Sequence, residues 1–539
     1  MERSFSLIHT LLFLVFCASK VVLIQKAVAQ GSWKLLLDNA GIASMHTAVT
    51  HYNNVILLDR TNIGPSQIQL PDGVCRNNPK DLTDTTDCTA HSVLFNPGDN
   101  SVRPLFIQTD TWCSSGQFVS DGRLVQTGGD FDGLNKIRTF SPCSSSGSCD
   151  WVESGSEYLQ DGRWYATNQL LPDGATQIVI GGRGVTTYEF IPSNGDKINL
   201  PFLAQTNDAQ YDNLYPYVHL LPDGTLYIFA NRDSIILNYQ TNKVIKTFPT
   251  IPGEPRNYPS AGSSVMLPLL ASDGYSKVEV LVCGGSQYGC YLNPSSYPAA
   301  SETCGRIVVT DVEPAWDMQT MPYPRAMGDM VLLPTGDVLI INGAQNGCQG
   351  WGNQKNAVLA PVVYSPSSAK FSTQAATTIP RVYHSTANLL QDGRVLVAGS
   401  NTHQYYELTG GFPTELRIEA FSPEYMGSKH DGDRPNIVDA PGKVGYAESF
   451  TVTVAMENEP TGNVVLSLLS VPFTTHSYAQ GQRMLSLEVE KPLNLGGGQY
   501  AVYAKSPPSA TLAPPSYYML FAVNEAKGVA GPAAWLHVS

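Results

Sequence analysis

The chain has 539 residues, and its 46 acidic against 33 basic side chains give a formal net charge of −13, with an isoelectric point near 5.2. This acidic balance argues against a nucleic-acid partner, which would need a basic surface. The length is sufficient for two or three domains.

The first 29 residues have the pattern of a secretion signal. Arg3 supplies the positive end, residues 7–18 are apolar, and Ala27-Val28-Ala29 has the small-x-small form that signal peptidases accept. The apolar run is short for a membrane span. We therefore expect a soluble protein that is exported to an extracellular space of the cell-wall or apoplast type, with no membrane anchor.

Short hairpins recur through most of the remaining chain. Their Asp-Gly type turns accept the positive φ that tight hairpins need, and an earlier copy has Asn53-Asn54 at the turn. The repeat of roughly 50 to 60 residues predicts a seven-bladed kelch-type β-propeller over residues 30–431 rather than a large sandwich with coincidental hairpins. The turn glycines are Gly122, Gly174, Gly224, Gly274, Gly336 and Gly393.

The repeat stops near residue 431. Residues 432–539 contain alternating apolar segments separated by breaks rich in proline and glycine, which predicts an immunoglobulin-like β-sandwich and an all-β protein overall. One loop of this region carries an isolated histidine, His476.

The chain has ten cysteines, and loss of Cys17 with the signal leaves nine, an odd number for an oxidising compartment. Proximity in sequence suggests local disulfides, although spacing alone does not determine connectivity. Cys113 is left without a partner, so it is either a free buried thiol or a residue with another use. The suggested pairs are Cys75/Cys88, Cys143/Cys149, Cys283/Cys290 and Cys304/Cys348.

Counting nine residues back from the turn glycines identifies side chains that a propeller would direct toward its central channel. Nitrogen and oxygen ligands of this kind suit copper(II), whereas zinc prefers tetrahedral sites and calcium or magnesium prefers carboxylates. Taken alone, Tyr165 could be a packed aromatic residue and His476 a surface histidine. The residues found by counting are Cys113, Tyr165, Tyr215, Met327 and His384, and the last of these follows Tyr383.

Other residues have simpler interpretations. Tyr215 and Met327 could shape a pocket or only pack, and His46 and His219 are expected to be satisfied structural histidines. The arginines that recur before the inner strands are expected to support the blades. These are Arg163, Arg325 and Arg381.

Four motifs together resemble those of the copper radical oxidases, and glyoxal oxidase more closely than galactose oxidase. They are Asp110-Thr-Trp-Cys113, Arg163-Trp-Tyr165, Arg381-Val-Tyr383-His384 and Thr474-Thr-His476.

The resemblance implies a copper(II) ion bound by Tyr165, Tyr383, His384 and His476. It also implies a thioether between Cys113 and Tyr165 that holds a tyrosyl radical, with Tyr383 as axial ligand and general base. The implied activity is oxidation of aldehydes such as glyoxal and methylglyoxal to carboxylic acids, with O2 reduced to H2O2. The implied partners are therefore a small aldehyde and O2, and we expect a monomer.

Two departures from galactose oxidase favour aldehydes over galactose. Residues 182–187 lack the tryptophan that shields the thioether in galactose oxidase, and no leading carbohydrate-binding domain fits before the first hairpin. The alternatives are a primary-alcohol oxidase acting on cell-wall carbohydrate, a non-catalytic glycan-binding propeller, and a propeller glycosidase. The last would need a carboxylate pair, and no aspartate-box repeats accompany the turns.

Overall fold

The computed structural model describes residues 30–71 and 73–539, so the predicted secretion signal lies outside the described residues. Within that range the predicted all-β class is confirmed, because strands dominate and the one α-helix is Pro201–Gln205. No helix in the described part of the chain is long and apolar enough to cross a membrane. The short 3-10 helices are Phe131–Gly133, Ala271–Asp273, Glu424–Met426 and Ser428–Asp433.

Seven antiparallel four-stranded units, here called blades 1 to 7, follow one another along the first part of the chain. In blades 1 to 6 the first strand is the innermost, and consecutive strands lie progressively further out. Blade 1 contains His46–Val49, Val55–Leu58, Ser92–Asn96 and Ser101–Leu105; blade 2, Ser115–Phe118, Leu124–Thr127, Ile137–Phe140 and Trp151–Glu153; blade 3, Thr167–Leu170, Gln177–Ile180, Thr187–Ile191 and Ile198–Asn199; blade 4, Tyr217–Leu220, Leu226–Ala230, Asp233–Asn238 and Lys243–Thr247; blade 5, Gly262–Met266, Glu279–Gly284, Thr303–Val308 and Asp317–Thr320; blade 6, Asp329–Leu332, Val338–Ile341, Val362–Ser365 and Lys370–Thr373; blade 7, Ser385–Leu389, Val395–Gly399, Ile418–Ser422 and Ser32–Leu37.

Blade 7 closes the ring with strands from two distant parts of the chain. Ser32–Leu37 pairs antiparallel with Ile418–Ser422, so that Trp33 lies opposite Phe421. The innermost strand of blade 7 in turn contacts the innermost strands of blades 1 and 6. This closure gives the arrangement of a β-propeller, in which equivalent positions of different blades face one axis.

Buried arginines brace the inner corners of several blades. Arg163 Nη1 donates to the carbonyl of Gly181, and Arg381 Nη1 donates to the carbonyl of Gly399, 2.7 and 2.8 Å away. A glycine after the second strand of blade 2 also lets the chain that leads into blade 3 approach closely. A Cβ at this residue, Gly128, would lie 2.1 Å from the carbonyl oxygen of Arg163. Together with the bond from Arg325 Nη1 to the carbonyl of Asn342, these contacts agree with the expected supporting role of the arginines.

The C-terminal part forms two packed sheets. Alternate residues of Ser449–Ala455 are buried, and its Val452 and Val454 share a core with Leu466 and Leu520 of the opposite sheet. This is the sandwich geometry that the alternating pattern predicts. One sheet contains Asn436–Asp439, Ser449–Ala455, Gln499–Lys505 and Leu493–Gly496; the other contains Leu269–Leu270, Met484–Ser486, Val464–Ser470, Ser516–Asn524, Ala534–Val538 and Lys443–Val444, with Val529–Ala530 at its side. Two further ribbons are Arg76–Asn77 with Thr86–Asp87, and Ala344–Gly347 with Gln354–Ala357.

A hairpin from this C-terminal part enters the propeller channel. Its strands are Phe473–Thr475 and Tyr478–Gln480, and Thr475 pairs with His46 on the inner strand of blade 1. The hairpin also contacts inner strands of blades 2 to 7. Its turn residues His476 and Ser477 have φ of 46° and 69°, as a type I′ turn requires. His476 therefore lies at the tip of a hairpin that fills the channel.

The disulfides correct half of the suggested pairing. Cys75–Cys88 and Cys143–Cys149 are present as suggested, but the other pairs are Cys283–Cys304 and Cys290–Cys348. Cys283 and Cys304 lie directly opposite each other on neighbouring strands of blade 5. Strand pairing, which proximity in sequence does not reveal, therefore decides the connectivity. Among the described residues, Cys113 is the one cysteine outside a disulfide, and it is buried.

Candidate metal centre

The positions found by counting back from the turns share an unusual backbone conformation. Cys113, Tyr165, Tyr215, Met327 and His384 have φ of 54°, 68°, 48°, 64° and 64°. This region is unfavourable for residues with a side chain, by about 1–3 kcal/mol each, and persists only where the surroundings enforce it. Neighbouring blades provide that support, since the Tyr165 N–H donates to the Cys113 carbonyl and the Tyr215 N–H to the Tyr165 carbonyl, each at 3.0 Å.

Blade 5 contributes a residue that the count missed. Its hairpin is longer, so the equivalent position is Ala261, which has φ of 44° and accepts a 2.8 Å bond from the N–H of Met327. Tyr258, three residues earlier, reaches the centre of the ring. The missed signal is a repeated Arg-x-Tyr, because Arg256-Asn-Tyr258 matches Arg163-Trp-Tyr165 and Arg381-Val-Tyr383.

Three side chains with soft or nitrogen donor atoms converge at the axis. One donor atom each from Cys113, His384 and His476 lie within 4.8 Å of one another, and all three residues are buried. The Cys113 Sγ is 3.2 Å from His476 Nε2. The two imidazole rings meet nearly edge to face, with centroids 4.8 Å apart.

Three phenols complete the cluster. The Tyr258 hydroxyl lies 3.0 Å from the Tyr165 hydroxyl and 3.1 Å from that of Tyr383. The Tyr383 ring stacks on the ring of His384 at a centroid distance of 3.7 Å. The rings of Tyr165 and Tyr383 lie 5.8 and 5.9 Å from that of His476. The residues predicted from the motifs are thus brought into one buried cluster.

A threonine determines which nitrogen of His476 faces this cluster. Thr475 Oγ1 lies 2.6 Å from His476 Nδ1 and 3.2 Å from the carbonyl oxygen of Met45. Because the hydroxyl has one hydrogen and donates it to the carbonyl, it accepts from Nδ1–H. His476 Nε2 is then unprotonated and presents its lone pair to the cluster, where Cys113 Sγ lies 3.2 Å away, and an unprotonated nitrogen is the form that a metal ligand needs.

Burial determines the protonation of the cluster. Burial raises the pKa of the Tyr165 and Tyr383 phenols well above the usual value. Burial also holds the pKa of His384 and His476 well below the usual value, so both imidazoles are neutral. A bound divalent cation would reverse the effect on the phenols and favour phenolate.

His384 gives a direct test of whether these residues fit copper. Its Nε2 is buried and has no hydrogen-bond partner among the described residues, a costly state for a polar atom. A metal ion bound at this nitrogen would satisfy it. Neutral imidazoles and phenols without a carboxylate form the donor set expected for copper(II) rather than calcium or magnesium. The residues fit.

The remaining predicted residues have mixed outcomes. The Tyr215 hydroxyl donates to the Ser114 carbonyl at 3.0 Å and its ring packs 5.1 Å from that of His476, while Met327 packs in the same apolar cluster. His219 contacts Ser264 Oγ at 2.9 Å. His46 is only half satisfied, because Nε2 contacts Ser114 Oγ but Nδ1 has no partner in the described structure.

A tryptophan does cover the Tyr165 ring, from a different position than in galactose oxidase. The ring of Trp164 lies 4.6 Å from that of Tyr165, and the guanidinium carbon of Arg183 lies 5.3 Å from the Trp164 ring. The absence of tryptophan from residues 182–187 therefore does not leave Tyr165 uncovered. This departure carries less weight for substrate choice than the sequence suggests.

Comparisons with known proteins identify the family. Residues 45–425 match the family model for the glyoxal oxidase N-terminus, and residues 434–538 match the galactose oxidase-like early set domain. The chain is 52% identical over 512 residues to the aldehyde oxidase GLOX of Vitis pseudoreticulata, covering 94% of this chain and 97% of that protein. It is 41% identical over 526 residues to the aldehyde oxidase GLOX1 of Arabidopsis thaliana, covering 94% of this chain and 84% of that protein.

A solved structure has the same fold. A fungal alcohol oxidase of the AA5 family in complex with copper superposes with a TM-score of 0.72 at 20% identity, covering 94% of this chain and 99% of that chain. At this identity the likeness concerns the fold, a propeller followed by a sandwich.

Proposed function

Because this chain belongs to the glyoxal oxidase family and is an oxidoreductase acting on aldehydes, we propose that Tyr165, Tyr383, His384 and His476 hold one copper(II) ion. The observation that carries the proposal is the orphaned His384 Nε2. It lies in a buried cluster with His476, whose Nε2 is left unprotonated by the bond to Thr475. The phenol oxygens of Tyr165 and Tyr383, which Tyr258 links, complete the set of four copper ligands.

We further propose that Cys113 and Tyr165 become joined by a thioether and that the modified Tyr165 holds a radical. The new S–C bond replaces the S–H bond of Cys113 and one ring C–H bond of Tyr165, and O2 takes up the two electrons and two protons released. A copper(II) ion held by these residues would supply one electron acceptor and the Tyr165 radical a second, which together match the two electrons lost when a hydrated aldehyde becomes a carboxylic acid. O2 takes up these two electrons and two protons as H2O2. Substrates of the class of glyoxal and methylglyoxal are the expected aldehydes.

The chain's own residues bind, orient and move the proton. Tyr383 Oη is the base that takes the hydroxyl proton of the hydrated aldehyde, and its stacking on His384 holds the phenol in place. The Tyr258 hydroxyl forms one hydrogen bond with the Tyr165 hydroxyl and one with the Tyr383 hydroxyl, and so orients both phenols. Burial of the cluster excludes bulk water, which strengthens these contacts.

The site draws on both proposed domains. Residues 30–431 supply Cys113, Tyr165, Tyr383 and His384, and residues 432–539 supply His476 on the inserted hairpin. The four disulfides support export to an oxidising compartment. We propose a monomer, because closure of blade 7 leaves the ring without an edge that needs a partner strand.

Peptide mass spectrometry after copper treatment tests the proposal. The expected result is one covalently linked species containing the Cys113 and Tyr165 peptides, together with H2O2 release from methylglyoxal that exceeds release from galactose. Cys113→Ser should abolish the linked species. Cys75 and Cys88, which form a disulfide, serve as the control pair that reduction separates. Unlinked peptides in copper-treated protein, or peroxide release from galactose alone, would overturn the proposal.

A further inference from the structure

A continuous row of aromatic rings joins the buried cluster to the protein surface. Trp164 lies 4.6 Å from Tyr165, Trp112 lies 5.0 Å from Trp164, and Trp351 stacks on Trp112 at 5.3 Å. These centroid distances are those of rings in direct contact. Tyr165 is 3% exposed, whereas Trp351 is 38% exposed. The row therefore spans from the interior to solvent without a gap.

Two arginines place positive charge along the row. The guanidinium carbon of Arg60 lies 4.6 Å from the Trp112 ring and 5.2 Å from the Trp351 ring, and Arg183 lies over Trp164. A nearby cation makes loss of an electron from an indole less favourable. An oxidising equivalent on this row is therefore driven inward, onto Tyr165, rather than resting on a tryptophan.

The indole N–H of Trp112 favours passage of charge over trapping. Trp112 Nε1 is buried and has no hydrogen-bond partner in the described structure. An indole that loses an electron must release its N–H proton to become a stable neutral radical. Without an acceptor the proton stays, so the electron deficiency moves to the next ring.

We propose that Trp164, Trp112 and Trp351 form an electron-transfer path by which a soluble one-electron oxidant, acting at Trp351, generates the Tyr165 radical. This inference rests on the proposed function, which requires that radical. In the step, the phenolate of Tyr165 loses one electron and becomes a phenoxyl radical with no proton moved. The electron leaves through the three indoles, and the oxidant, for example ferricyanide, gains it and becomes ferrocyanide.

The test mixes copper-loaded protein, with Tyr165 in its unoxidised state, with ferricyanide. Formation of the tyrosyl radical is followed by absorption and by electron paramagnetic resonance, and copper content is measured in parallel. Trp351→Phe and Trp112→Phe keep a stacking ring but resist oxidation, so radical formation should slow by about tenfold or more. Trp535→Phe is the matched control, because Trp535 is partly exposed in the sandwich and donates to Asn53 instead.

Each outcome is decisive. Slow radical formation in both variants, with copper content and the control unchanged, supports the path. Equal rates in wild type and all variants overturn it while leaving the proposed function standing. A raised KM for methylglyoxal with an unchanged rate of radical formation also overturns it, since the indoles would then line the route of the substrate. Absence of any radical in copper-loaded wild type would instead overturn the proposed function, and the path with it.

Discussion

Thr475→Val isolates the contribution of one hydrogen bond to copper binding. The Thr475 hydroxyl lies 2.6 Å from His476 Nδ1 and keeps the proton on that nitrogen. Valine has nearly the same shape but cannot accept the bond, so the buried Nδ1–H loses its partner. The proton can then reside on Nε2, where it blocks the lone pair that faces the cluster.

The expected size of the effect follows from both consequences. Leaving a buried donor unsatisfied costs about 1–3 kcal/mol, and loss of such a supporting bond weakens metal binding by about 10- to 100-fold. We expect the copper affinity of Thr475→Val to fall within that range. The fold should survive, because Thr475 lies in a strand that is held by backbone pairing to blade 1.

Thr474→Val is the matched control. Thr474 is the preceding residue of the same strand and is equally buried, but its Oγ1 has no hydrogen-bond partner within the described structure. Replacing an unpartnered hydroxyl by a methyl should leave copper affinity unchanged and stability unchanged or higher. Isothermal titration or competition with a chelator measures the affinity of each purified variant. Wild-type affinity in Thr475→Val, or equal losses in both variants, would refute the reasoning.

Two further predictions concern the phenols and a buried carboxyl. Tyr258→Phe removes the hydroxyl that bridges Tyr165 and Tyr383, so kcat for peroxide release should fall by about tenfold, the worth of about 1.4 kcal/mol, while a change confined to KM would contradict a positioning role. Burial raises the pKa of Asp329 from 3.8 to about 8, so between these values the folded state holds a proton that the unfolded state has lost, and stability falls as pH rises. Asp329→Asn should flatten this fall in denaturant titrations from about pH 4 to pH 8, and a slope like that of wild type would be the contrary result.

Local rules were enough to predict much of this protein. The repeated turns indicated the ring, since Asp-Gly at a hairpin is dictated by backbone sterics within a few residues. The same regular spacing identified Cys113, Tyr165 and His384 as equivalent positions, and their shared positive φ agrees with that equivalence. Of the ten cysteines, nine remain after loss of Cys17 with the predicted signal, and pairing neighbours in sequence then left Cys113 without a partner.

Pairings between distant parts of the chain were decided by the tertiary structure. Cys283 bonds Cys304 because two strands of blade 5 lie side by side, and spacing in the sequence favoured a different partner. The count missed Tyr258 because the longer hairpin of blade 5 changed the offset and because Tyr258 lies three residues before the equivalent position, Ala261. The contact of Trp164 with Tyr165 depends on side-chain packing. The placement of His476 required a hairpin from the sandwich to cross into the channel. A periodic pattern specifies what each repeat contributes, whereas the contacts between repeats and between domains depend on how complete surfaces pack, and no short stretch of sequence encodes them.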